Sequence, residues 1–136
     1  MQQEQLENYK VAYKTFKFEA VEDGLARGTN FELDKNTVFV TGFQLGSDNK
    51  SKLNFRGSLG LRIGGDTLLE NGTPCQLFVS SVGVPVEKRF FPLGEVKPGN
   101  YKVELNFQDE DNAIAPFEAG YTVYITFAYL LPKENL

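Results

Sequence analysis

The chain has 136 residues, a formal net charge of -4, and 41% hydrophobic, 24% charged and 13% aromatic residues. That length suits one domain that builds its own core without disulfides or metals. There is no histidine and one cysteine, which excludes histidine triads, Cys–His nucleophile pairs and ordinary zinc sites. An acidic balance without a Lys/Arg cluster also argues against nucleic acid as a partner.

The first eight residues are polar and read as a solvated arm. They carry no apolar segment, so no signal peptide is expected, and no stretch approaches the roughly 18 apolar residues of a membrane span. Residues 9–20 fit two patterns. Tyr9, Val11 and Tyr13 alternate on one phase and Phe16, Phe18 and Ala20 on the other, as in a strand with a bulge near Lys14 and Thr15. Leu6, Tyr9, Tyr13 and Phe16 also fit helical spacing. The Tyr, Phe and Val content favours strand over 9–19. Residues 1–16 are thus expected to be an N-terminal arm or first strand, and 17–136 the main domain.

Further strands are expected at 29–33, 37–45, 51–63, 75–82, 88–93, 100–108 and 121–131. Turn clusters rich in Gly, Asn, Asp and Pro separate them, at 22–24, 34–36, 46–49, 64–66, 71–72, 97–100 and 109–112. Leu68 and Leu69 fit either a short helix or a strand. In 37–45, Phe39, Phe43 and Leu45 fall on one face and Val38 and Val40 on the other. The last strand places Tyr121, Val123, Ile125, Phe127, Tyr129 and Leu131 on one face, with Tyr124, Ala128 and Leu130 on the second. Side chains alternate across a strand, so each such row enters one core. The expected core rows are Leu53, Phe55, Leu59, Leu61 and Ile63; Tyr101, Val103, Leu105 and Phe107; and Val123, Ile125, Phe127 and Tyr129. About eight strands with this spacing read as a single all-β antiparallel sandwich of jelly-roll type.

Candidate chemistry is sparse. The run Asp109, Glu110, Asp111 and Asn112 is oxygen-rich but lacks the spacing of a calcium loop, and reads as a solvated loop. Glu32, Asp34, Glu104 and Asp109 fall in turns or on expected wet faces, so no acid is poised for catalysis. No cofactor, metal or catalytic residue is assigned, and the chain reads as a non-enzyme. Cys75 reads as a small half-buried strand residue. Lys88, Arg89, Phe90, Phe91 and Pro92 read as a charged edge strand, or else as a stacking platform or docking edge.

Strands apolar on both faces require a cover, either the N-terminal segment or a neighbouring subunit. The candidate contact residues are Tyr9, Tyr13, Phe16, Val38, Val40, Tyr124 and Leu130. The strand Leu59–Ile63 runs into Gly64 and Gly65. The segment Gly83–Leu93, the turn Lys97–Asn100 and the Tyr/Thr/Phe-rich strand ending at Leu131 follow. Together these resemble small jelly-roll accessory proteins of tailed-phage virions, which decorate heads or form head fibres. That resemblance implies a capsid, decoration or head-fibre subunit, an oligomer contacting its own copies and other capsid proteins. It would assemble in the host cytoplasm and travel on the particle, with no membrane or nucleic acid as partner. The alternative is a carbohydrate-binding or adhesion module of the same fold; the absence of Trp counts against it.

Overall fold

The computed structural model describes residues 8–20, 26–47, 57–78, 90–109 and 121–133. Within them lie eight strands: β1 (Tyr9–Ala20), β2 (Ala26–Glu32), β3 (Phe39–Ser47), β4 (Ser58–Ile63), β5 (Asp66–Pro74), β6 (Phe91–Val96), β7 (Lys102–Gln108) and β8 (Tyr121–Pro132). They form two four-stranded sheets, ordered β1-β8-β3-β6 and β2-β7-β4-β5, and every pairing is antiparallel. Pairing first with last, second with seventh, third with sixth and fourth with fifth is the strand order of a jelly roll. The expected all-β sandwich of about eight strands is the observed architecture.

The alternating rows meet between the sheets. Phe43, Ile125 and Phe127 from one sheet and Leu61, Ile63 and Val103 from the other have no exposed surface. Each such side chain contributes roughly 1.5–3 kcal/mol of transfer free energy. Aromatic rings tie the layers together, with Phe18 set edge-on to Phe107 at 5.2 Å between centroids. Leu53 and Phe55, expected in this core, lie outside the described residues.

Several elements depart from the sequence expectation. β1 pairs with β8 over all twelve positions without a register shift. There is no bulge at Lys14; the two phases are simply the two faces, and residues 9–16 are already in the sheet. The bulge sits instead in β3, between Val40 and Gly42. It turns Val40 inward beside Phe43, and Phe39 moves to the other face. The expected strand 75–82 begins as a 3-10 turn, Cys75–Phe78, and the remainder is not among the described residues. β5 (Asp66–Pro74) occupies Leu68 and Leu69, which fit either a short helix or a strand, and extends through the expected turn at 71–72. Tyr101 closes the 97–100 turn with φ of 63°, donating its N–H to Pro98 O at 2.8 Å, so it precedes β7 and is half-buried.

The side of the sandwich where β1 and β2 lie is sealed by side chains. Phe16 stacks on Phe31 with centroids 4.3 Å apart. Lys14 lies 5.3 Å over the Phe16 ring and donates Nζ to Glu32 O at 3.3 Å. In β1, Lys10 and Lys14 share the inward phase with Ala12, Phe16 and Phe18, since their partners are Leu131 and Phe127.

Candidate functional site

The outer face of the β1-β8-β3-β6 sheet concentrates the unusual surface. Its register sets Val11 beside Leu130 and Phe39, and Tyr13 beside Ala128, Gly42 and Pro92. Val11 is 51% exposed, Tyr13 57% and Tyr124 37%. An apolar row running across several strands on a solvent face is what marks an interaction surface rather than scattered apolar residues. Next along the strands the chemistry changes. Thr15 and Thr126 hydrogen-bond through their hydroxyls at 2.8 Å, and Gln44 pairs opposite Thr126. An apolar centre beside a hydrogen-bonding margin is the anatomy of a protein interface.

The candidate contact residues separate into three groups. Tyr13 and Tyr124 project from the outer face, and Tyr9 is half-buried opposite Pro132 at its end. Leu130 is 2% exposed and floors the same face between Val11 and Phe39. Val38 is half-buried just before β3, its N–H held by Leu130 O at 2.8 Å. Two residues leave the set. Val40 is fully buried, because the β3 bulge reverses its phase. Phe16 faces inward onto Phe31 and Phe127.

Sequence reasoning missed Val11 as a contact residue, while Phe90 and Phe91 stood in the segment read as a charged edge strand, stacking platform or docking edge. Phe90 lies against Tyr13 on the outer face, while Phe91, 40% exposed, turns its ring to Phe43 and Phe78. The signal for Val11 was present, since it shares the phase of Tyr9 and Tyr13. Phe91 begins β6, an edge strand of the sheet, with Phe90 just before it; Lys88 and Arg89, the charges of the expected edge strand 88–93, lie outside the described residues.

Asp109 is the buried acid. It was expected on a wet loop, yet it has no exposed surface, and Tyr121 donates its hydroxyl to the Asp109 carboxylate. That bond makes it a structural acceptor. Among the described residues, no group of three His, Cys, Asp or Glu side chains is placed to hold a metal. No described helix is long and apolar enough to cross a membrane. Burial pushes the Tyr129 hydroxyl above its ordinary value, and the charge of Asp34 adds to the rise.

No protein-family model matches the sequence, and no curated protein matches it. Among solved structures, the chain is similar to the VP2 subviral particle of infectious bursal disease virus, at 13% identity and a TM-score of 0.43. It is likewise similar to T=1 particles derived from infectious bursal virus, at 14% identity and a TM-score of 0.43. The match covers 91% of this chain and 32% of each of those chains.

Proposed function

We propose that this chain is a non-enzymatic structural subunit of a virion, acting through contacts with its own copies and with other capsid proteins. An auxiliary capsid role, as a decoration or head-fibre subunit, is the form that fits a small single sandwich. Its place is on the particle, after assembly in the host cytoplasm. Eight-stranded jelly rolls serve both as capsid domains and as lectins, so fold alone does not choose between these roles. The observation that carries the reading is the exposed apolar patch of Val11 and Tyr13, floored by Leu130 and Ala128. Copies meeting on this face would bury it and leave the threonine band at the rim.

Light scattering on the full chain tests this directly. The expected mass is that of an oligomer at high concentration. Val11→Lys combined with Tyr13→Ser should weaken association at least about tenfold, because a charge then has to be desolvated at the contact. The circular dichroism spectrum should be unchanged, since both side chains are exposed. Immunogold labelling should place the chain on particles made from the same genome. A monodisperse monomer at high concentration, absent from those particles, overturns the proposal.

A further inference from the structure

The other sheet carries a groove of different chemistry on its outer surface. Leu59 faces Thr73 while Leu61 faces Leu69, so β5 runs two residues longer than β4 over that span. The bulge contains Asn71 and Gly72, the latter at φ of 94°. It folds Asn71 over β4 at Gly60, where an added Cβ would collide with Asn71 Oδ1 and lie 3.0 Å from its Cα. Only glycine admits that approach. Asn106, beside Gly60 and Gly28 in the register, donates Nδ2 to Asn71 Oδ1 at 3.4 Å. The result is a cavity of about 340 Å³ lined by Gly28, Ser58, Asn71, Asn106 and Gln108, among others. Pockets that hold small ligands start near this size, at about 300 Å³.

The polar groups of the lining are neutral. In the adjoining row Arg62 and Glu104 pair with each other at 3.4 Å. The Asn71–Asn106 bond uses one acceptor and one donor, leaving an amide NH₂ on Asn71 and a carbonyl on Asn106, the carbonyl on the side of Gly28. Flipping both amides leaves the same complement. A hydroxyl group donates and accepts at once, so adjacent hydroxyls of a sugar satisfy both amides together. An anion would meet a carbonyl and a cation an NH₂. Bulges also sacrifice ladder hydrogen bonds and recur where a side chain is re-aimed at a site.

We infer that this groove binds a neutral, polyhydroxylated ligand, a short stretch of glycan chain, through Asn71 and Asn106. The groove and the apolar face belong to different sheets, so this inference and the assembly reading stand or fall separately. The experiment is an NMR titration of the full chain with chitotriose, cellotriose and maltotriose, and with pyrophosphate as a charged comparison. At least one trisaccharide should shift the side-chain amide signals of Asn71 and Asn106 saturably at millimolar concentration. Asn71→Ala and Asn106→Ala should each weaken that binding at least about tenfold, with the melting temperature and the fold retained. Gly28→Val, which narrows the groove and sets a Cβ 3.1 Å from Asn106 Oδ1, should abolish it. Absence of saturable shifts with all three sugars, shifts that survive in the double alanine variant, or an equal response to pyrophosphate overturns the inference.

Discussion

Tyr13 and Phe90 are carried by opposite edges of one four-stranded sheet, yet their ring centroids lie 5.3 Å apart. Two small residues make this possible. Tyr13 is registered with Ala128, and Ala128 with Gly42. A Cβ at Gly42 would point at Phe90 Cβ, 3.4 Å away. Both rings therefore lean inward over a shallow saddle, forming one aromatic surface.

Gly42→Ala is expected to destabilise the fold by roughly 1–3 kcal/mol, the usual scale of overpacking. The added Cβ would sit 2.9 Å from Phe91 O, and backbone cannot swing aside as a side-chain tip does. Denaturant melts measure the loss. Tyr13→Ala at the same surface should cost no more than about 1.5 kcal/mol, the upper value for an aromatic pair.

Ile125→Ala should cost roughly 2–5 kcal/mol, as buried large-to-small changes do. Ile125 has no exposed surface and faces Phe16 and Leu45 across the sheet. A cost below about half a kcal/mol in denaturant melts would contradict the packing.

Asp109→Ala should destabilise by about 1–3 kcal/mol, because the buried Tyr121 hydroxyl loses its acceptor. Adding Tyr121→Phe should cost less than the two single changes predict, since both remove the same bond. Neither calcium nor EDTA should move the melting temperature, because the Asp109 carboxylate faces Tyr121 inside the sandwich. A calcium-dependent rise lost in Asp109→Ala would refute this.

Alkaline stability depends on Tyr129. Its hydroxyl is neutral when protonated, and burial with Asp34 nearby raises its pKa in the folded state. Above the ordinary tyrosine value of about 10, the folded chain holds a proton that the unfolded chain has released. The stabilisation is complete below that pH and is lost as pH climbs through the folded value. Tyr129→Phe should therefore flatten the fall in melting temperature at high pH. An unchanged slope in Tyr129→Phe would assign the fall to other groups.

β7 and β8 were legible because their alternation is unbroken, and Val103, Leu105, Phe107, Val123, Ile125 and Phe127 are all core. The same rule, carried one step further, finds the buried acid. Asp109 continues the inward phase of Val103, Leu105 and Phe107, and its charge obscured the pattern. β5 was illegible for a physical reason: it is a bulged edge strand with no face fully buried, so nothing imposes period two on its sequence. In β3 one bulge exchanged the roles of Phe39 and Val40, which removed Val40 from the contact surface. The outward row of β1 was visible as Tyr9, Val11 and Tyr13. Its meeting with Phe90 was not, since it depends on small residues in two intervening strands.

Lys14 also limits how copies of this chain can add to one another. A strand arriving alongside β1 would trap its ammonium between two backbones and pull it away from Glu32 O, an unfavourable exchange that inward-facing charges on edges impose. Growth by strand addition is thereby blocked on that side, while the broad face of the sheet stays open. A face that meets its own copy by a twofold rotation is used up in the encounter, so such contacts close instead of propagating. The lysine that shields one aromatic ring thus disfavours strand addition at the β1 edge.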